Sequence, residues 1–433
     1  MKILMINKFL YPNGGSETYM FRLGAALQEA GHEVQYFGME HEGRVVGNRA
    51  ESYTSPVDFH TGGIGRILYP FRIIYSGEAK RKLRPVLEEM QPDVIHLNNI
   101  NFQLTPSVID EARDFEEKHP EIYGSGRKLR IVYTAHDAQW VCPNHMLRIP
   151  EGGGKDGAGA SPASRLCMEC LSGEYGACER NRCIHGSRLR SFLGRKEAEF
   201  YRRRETYGKV DRIICPSAFY AGILSYSPVL APKVVTLHNF YEPGDGEPEG
   251  TEGTGSHGGD YVLYFGRYAE EKGVRTLLSA ARSLPDIPFV FAGSGPLEKE
   301  LGGVPNVTVR GFLRGKELKE TIRGARFAVY PSEWYENCPM SILEALGAGT
   351  PVLASDLGGS AELISTDGKN GTGALFRGGD AEDLAEKIRE LWDDRKRTEG
   401  MSSRCRGFVH GHFDTPEQYA EKILGIYRGE TDK

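Results

Sequence analysis

No apolar run in this 433-residue sequence approaches the roughly 18 residues that a membrane-spanning helix requires. The start has no features of a cleavable leader, because Met1 leads at once into Lys-Ile-Leu-Met-Ile-Asn, which reads as a short buried strand. The expectation is a cytoplasmic protein, where thiols stay reduced. Charge of one sign is also lacking. Lys and Arg number 54 against 59 Asp and Glu, a formal net charge of -5, so the balance predicts no nucleic-acid partner. No GxGxxG follows an apolar strand, which argues against a dinucleotide fingerprint, and there is no short repeat.

What is present describes a globular protein, with 39% hydrophobic and 26% charged residues. A chain this long exceeds one ordinary core, and two domains of about 200 residues each are the natural division. The first half alternates strands with helices. Lys2–Asn7, Val34–Phe37, Val94–Leu97, Arg130–Thr134, Val210–Cys215 and Lys233–Leu237 read as buried parallel strands, and Ser16–Ala30 as an amphipathic helix ending at Gly31. Glu242–Asp260 is rich in Gly, Glu and Pro, can bury almost nothing, and predicts a linker over 241–260. A second series follows, with strands at Tyr261–Gly266, Pro288–Ala292, Val307–Arg310, Phe327–Tyr330 and Pro351–Ala354. The fold class is therefore α/β, with two Rossmann-like doubly wound parallel-sheet domains whose ligands sit at the carboxyl ends of the strands. The boundaries expected are 1–240, the linker, 261–415, and a terminal helix within 416–433 that packs back on the first domain. Glu151–Pro162 is a second glycine-rich stretch and reads as a surface loop.

Eight cysteines occur, and Cys142, Cys167, Cys170, Cys178 and Cys183 crowd into an insert at about 142–186. In a reducing compartment that clustering points to metal before disulfides. Cys167, Cys170, Cys178 and Cys183 supply four thiolates suited to tetrahedral zinc, with an iron–sulfur cluster as the alternative ligand chemistry and unligated or paired thiols as the plain one.

Transfer from a nucleotide sugar needs cations and backbone N–H groups around a pyrophosphate leaving group, an acceptor for the ribose diol, and polar groups for the sugar. Arg267 and Lys272, in Tyr264-Phe265-Gly266-Arg267-Tyr268-Ala269-Glu270-Glu271-Lys272-Gly273, follow a strand and lie where phosphates would sit, although solvated charges on an ordinary turn would look the same. Seven residues separate Glu336 from Glu344 in Glu336-Asn337-Cys338-Pro339-Met340-Ser341-Ile342-Leu343-Glu344. Glu344 falls among apolar helix residues, where a carboxylate needs a partner such as a ribose diol, the backbone or an Arg.

This pattern resembles the signature of the retaining GT-B glycosyltransferases of family GT4. The resemblance continues through Gly347-Ala348-Gly349-Thr350-Pro351-Val352, Gly358-Gly359-Ser360-Ala361-Glu362 and Ala292-Gly293-Ser294-Gly295-Pro296, and is strongest over 261–365. It implies a GT-B fold in which the two domains face each other across a cleft, the first binding acceptor and the second binding a nucleoside diphosphate sugar. It implies that Glu336 contacts sugar hydroxyls, that Glu344 holds the ribose, and that Arg267 and Lys272 hold the pyrophosphate, with Asn337, Cys338 and Pro339 in the same donor-binding segment. Gly14 and Gly15, in Pro12-Asn13-Gly14-Gly15-Ser16-Glu17, resemble the family's first donor loop, which ends at a helix N-terminus. His136, in Thr134-Ala135-His136-Asp137, resembles its site histidine, which hydrogen-bonds the transferred sugar and helps stabilise developing charge. Asp137 would orient it or cap a helix. The family needs no cofactor for catalysis, and no residue stands out as a covalent nucleophile.

Arg188–Arg204 carries seven cations against Glu197 and Glu199, and Arg66–Arg84 mixes cations with Tyr69, Phe71 and Tyr75. Such segments suit peripheral contact with the inner membrane face, or equally a solvated helix face with its apolar side in the core. The function implied is a retaining hexosyltransferase of polysaccharide-biosynthesis type, acting on a glycan, lipid-linked or small-molecule acceptor. A nucleotide-sugar 2-epimerase or a non-catalytic nucleotide-sugar-binding protein is the alternative.

Overall fold

A computed structural model describes residues 1–56, 74–124, 126–149, 165–242, 259–368 and 370–430. Most of the expected linker, the Glu151–Pro162 stretch and the first part of Arg66–Arg84 lie outside the described residues. The chain divides into two compact units. One takes Met1–Ser161, Cys167–Leu237 and Pro416–Lys433, and the other takes Pro162–Leu166 and His238–Thr415.

The first unit holds a six-stranded sheet: β1 (Lys2–Ile6), β2 (Glu33–Phe37), β3 (Val94–Leu97), β4 (Arg130–Thr134), β5 (Arg212–Cys215) and β6 (Val234–Thr236), in the order β2-β1-β3-β4-β5-β6. Every neighbouring pair is parallel. The strands are short apolar runs because helices cover both faces of such a sheet and leave no solvated side. Strand order turns back between β1 and β3, the switch point where loops diverge and leave a crevice. The helix Gly15–Glu29 buries Tyr19, Met20, Leu23 and Leu27, one face at helical spacing, and ends before Gly31 in a left-handed turn with φ +83°.

The C-terminal helix Pro416–Arg428 packs against Gly15–Glu29 within this unit. A buried polar chain fastens it. Tyr419 and Tyr19 share a hydroxyl hydrogen bond of 2.9 Å, Tyr19 meets Thr134 Oγ1 at 3.1 Å, Thr134 meets His96 Nε2 at 2.7 Å, and His96 Nδ1 meets the Tyr427 hydroxyl at 2.5 Å. Burial, with the nearby His136 adding to it, lowers the His96 pKa to about 3, so the ring is neutral at pH 7.

The second unit repeats the plan with β7 (Val262–Phe265), β8 (Phe289–Ala292), β9 (Val307–Gly311), β10 (Phe327–Tyr330), β11 (Val352–Ser355) and β12 (Gly373–Phe376). Their order is β12-β11-β10-β7-β8-β9, all parallel, with the switch point between β7 and β10. One face of the sheet packs Phe289, Phe291 and Phe327 against the helix Val274–Ser283, and the other packs Leu263, Ala328 and Val352 against Ile342, Leu346 and Cys405. Burying each phenylalanine contributes about 2–3 kcal/mol. The α/β reading with two Rossmann-like parallel sheets holds, and the expected strands lie within two residues of those found. The edge strand β12 was not anticipated. Its four residues follow a Gly- and Asn-rich turn and are too few to carry a period.

Candidate functional site

In the second unit the residues singled out by sequence gather at the carboxyl ends of the strands beside the switch point. Lys272 follows β7, Glu336 follows β10, and Lys272 Nζ donates to Glu336 Oε1 at 2.5 Å although 64 positions separate them. Ser332 Oγ donates to the same oxygen at 2.9 Å. Burial alone drives the Glu336 carboxyl upward. The Lys272 charge, with hydrogen bonds from Lys272, Ser332 and Tyr330, outweighs it and holds the group below the ordinary carboxylate value. Glu336 is therefore a carboxylate at pH 7, with 15% of its side-chain surface exposed. Arg267 also leaves β7, but it is 59% exposed and pairs with Glu271 instead.

The loops around this pair interlock backbone on backbone. Gly273 sits at φ +67°, and a Cβ there would lie 1.8 Å from the Pro331 carbonyl oxygen on the β10 side of the switch point. Gly358, after β11, sits at φ +62° against the backbone of Glu336, whose carbonyl accepts from Gly359 N–H at 2.7 Å. Only glycine fits such a left-handed, crowded position. Gly273→Ala is expected to lower stability by about 2–4 kcal/mol, combining a left-handed alanine with a displaced loop. A melting curve within about 0.5 kcal/mol of the parent would contradict this account of the loops.

Asn337 and Cys338 are buried and Pro339 precedes the helix Met340–Gly347. The Cys338 thiol packs in the apolar core, where burial pushes its pKa up to about 12, and its carbonyl accepts from Asn239 Nδ2 at 3.0 Å. Glu344 lies on that helix as expected. It is half-buried rather than enclosed, while its neighbours Leu343, Ala345 and Leu346 are buried in the core.

In the first unit, Gly14 is the N-cap of Gly15–Glu29 in extended conformation, and nothing in the fold crowds Gly15. The open space fits a loop that leaves room for a ligand. Glu17, in the first helical turn, is 2% exposed and accepts from Asn7 Nδ2 at 2.9 Å. Asn7 Oδ1 in turn accepts from Asn99 N–H at 2.9 Å, which closes the switch point from β1 to β3. His136 stands at the end of β4 with Nε2 2.9 Å from Asn98 Oδ1 and its ring edge-on to Tyr19. Burial, against a smaller upward pull from Asp137, lowers its pKa to about 4, so it offers a neutral imidazole. Asp137 accepts from Gln139 N–H at 2.9 Å and caps its own turn, so Asn98 is the orienting partner. Asn98 Nδ2 is buried with no hydrogen-bond partner among the described residues, an unmet donor beside the histidine. Sequence reasoning passed over Asn98, Asn99, Asn7 and Glu17. The run Asn98-Asn99-x-Asn101 directly after an apolar strand was the available signal.

The cysteines Cys142, Cys170, Cys178 and Cys183 are buried in the first unit, and Cys167 is half-buried. The helix Arg188–Arg203 turns Ser191, Gly194, Glu197, Ala198 and Tyr201 inward. Its cations are largely engaged, Arg195 with Glu199 and Glu179, Lys196 and Arg203 with Glu199. That is the arrangement of the solvated-face reading. Among the described residues no helix is long and apolar enough to cross a membrane.

Residues 13–149 match the family model described as Glycosyltransferase Family 4, and residues 259–394 match Glycosyl transferases group 1. Both matches name the family that the motifs resemble. The sulfoquinovosyl transferase of Arabidopsis thaliana is 37% identical over 149 residues, which are 34% of this chain and 29% of that protein. The alpha-D-kanosaminyltransferase of Streptomyces kanamyceticus is 32% identical over 178 residues, 39% of this chain and 45% of that one. The chain thus spans less than half the length of these curated relatives. Among solved structures, sucrose-phosphate synthase of Thermosynechococcus elongatus superposes with a TM-score of 0.65 at 18% identity, covering 99% of both chains. Anabaena HepE in complex with UDP-glucose gives 0.62 at 17%, covering 98% of this chain and 100% of that one. The fold is GT-B.

Proposed function

We propose that this chain is a retaining glycosyltransferase that moves a sugar from a nucleoside diphosphate sugar to a hydroxyl of a glycan, lipid-linked or small-molecule acceptor. The observation that carries it is the Lys272–Glu336 pair beside the switch point, held by Ser332 and by glycines whose backbones interlock. Without ligand, Lys272 neutralises Glu336. With donor bound, the lysine turns to the pyrophosphate with Arg267, and the carboxylate accepts from sugar hydroxyls. Glu344 accepts from the ribose diol, and the Gly14–Gly15 loop leaves space at a helix N-terminus for negative charge. At the sugar, the bond from the anomeric carbon to the phosphate oxygen breaks and its electron pair leaves with the diphosphate. The acceptor oxygen forms the new bond on the same face, and its proton passes to the leaving phosphate oxygen. His136, neutral and aligned by Asn98, hydrogen-bonds the sugar without adding charge.

UDP is the first donor nucleotide to test, since the structural neighbour HepE was solved with UDP-glucose. A thermal-shift screen with UDP, GDP, ADP and dTDP is expected to show one responding nucleotide. At a hundredfold excess over the dissociation constant, stabilisation of about 2.7 kcal/mol follows from mass action. Glu344→Ala should abolish that shift. If no nucleotide shifts the transition, the transferase proposal loses its donor and fails. A nucleotide that binds without sugar transfer to any acceptor, or with epimerised sugar as product, would favour the binding-protein or the 2-epimerase reading.

A further inference from the structure

The cysteine insert has no part in the chemistry above, yet three of its cysteines are buried side by side. Cys170, Cys178 and Cys183 share one small buried cluster with Tyr175, Ala177 and Ala198. The Cys178 and Cys183 side chains are hydrogen-bonded to each other, and Cys142 lies within electrostatic reach of Cys170, Cys183 and Cys167. Two backbone N–H groups are directed at sulfur, that of Leu147 at Cys142 and that of Cys178 at Cys170.

The backbone between them is tied rather than loose. Cys167 N–H donates to the Leu147 carbonyl at 2.8 Å, and Gly173 N–H donates to the Cys170 carbonyl at 2.9 Å with φ +89° at Gly173. Cys183 N–H donates to the Cys178 carbonyl at 3.0 Å. The local helix Gly176–Arg180 has five residues, too short to be stable by itself. Three cysteines in so small a cluster serve poorly as ordinary core, since a thiol buries less apolar surface than the Leu or Ile that would hold such an insert. Among the described residues no three His, Cys, Asp or Glu side chains stand close enough to hold an ion as placed. A metal site here therefore requires the thiols to change rotamer.

We propose that this insert is a zinc site, with Cys167, Cys170, Cys178 and Cys183 as its four thiolates and Cys142 beside them as the link to the loop that carries His136. A doubly charged soft ion supplies what a cluster of buried thiols lacks, a partner for their negative form, and its binding free energy folds the insert. Cys142 reaches the His136 loop directly, since its N–H donates to the Ala138 carbonyl at 2.8 Å. On the other side, the Asn144 side chain donates to the Cys183 carbonyl at 3.4 Å. The insert is thereby a brace for the edge on which His136 stands.

The test is metal analysis of the full chain purified under reducing conditions, followed by exchange of the bound metal for cobalt. About one zinc per chain is expected, with thiolate-to-cobalt charge-transfer absorption after exchange. Cys178→Ser and Cys183→Ser should each lose the metal, and Cys142→Ser should keep it. If the serine variants fail to fold, the cobalt spectrum of the parent decides alone. A metal-free parent, stoichiometric iron with sulfide, or a Cys178–Cys183 disulfide would overturn the zinc site. Loss of zinc from Cys142→Ser equal to that from Cys178→Ser would overturn the placing of Cys142 outside the ligand set.

Discussion

Glu336→Ala is expected to lower sugar transfer by about 10²–10³-fold while leaving the fold intact, the scale seen when one preorganised polar group is removed from a reacting centre. The carboxylate is aligned before any substrate arrives, because Lys272 and Ser332 both donate to Oε1. On the proposed function its removal therefore costs transition-state contacts that no reorganisation can replace. The same pair makes a sharper prediction about stability. Lys272→Ala leaves a mostly buried carboxylate whose depressed pKa depended on the lysine charge, and breaking a buried pair from one side costs about 3–5 kcal/mol. Glu336→Gln keeps the shape and frees a lysine that is 23% exposed and can reach water, so it should cost less. The double variant Lys272→Ala with Glu336→Gln should then be more stable than Lys272→Ala alone. Urea melts of the three proteins check the order. If Lys272→Ala and the double variant melt together, the two side chains are not coupled as described.

The individual members of this site were legible because each follows an apolar strand, the place where parallel α/β sheets present ligand groups. Lys272 and Glu336 could be named, but their contact could not, since it depends on β7 and β10 being neighbours and no local pattern states strand order. Arg267 had the same signal as Lys272 and fell to Glu271, four residues along its own turn, because a local partner competes for an exposed guanidinium. Glu344 was expected to be enclosed by its apolar neighbours. A helix has more than one face, and the composition of a segment does not say which face a single residue takes. Asn98 and Glu17 were missed for the opposite reason. Polar residues just after a strand or in a first helical turn read as solvated, and only the fold shows that these are buried, Glu17 against Asn7 and Asn98 against His136.

Acid should destabilise the first unit in a way that three buried groups decide. His96 and His136 have folded pKa values of about 3 and about 4, well below the ordinary 6.5, both chiefly through burial. The unfolded chain takes up protons on both rings below pH 6.5 while the folded one does not, so each lowers stability by about 1.4 kcal/mol per pH unit as pH falls from 6.5 toward 4. Glu197 acts the other way. Burial raises its pKa to about 8, opposed only by a hydrogen bond from Asn101, so between pH 8 and 4.5 the folded chain holds a proton that the unfolded one has released. Its contribution therefore grows as pH falls through 8 and is complete below about 4.5. Two protons against one leave a net loss of about 1.4 kcal/mol per unit between pH 6.5 and 4.5, and above 6.5 Glu197 alone makes stability fall as pH rises. These groups place a maximum near pH 6.5. Glu197→Gln should remove the decline on the alkaline side and roughly double the slope on the acid side, whereas His96→Asn should flatten the acid side, despite losing contacts to Tyr427 and Thr134. Denaturant melts of the three proteins from pH 4.5 to 8 read these slopes directly. An acid slope unchanged by either substitution would mean that other groups, such as the paired carboxylates, control the transition.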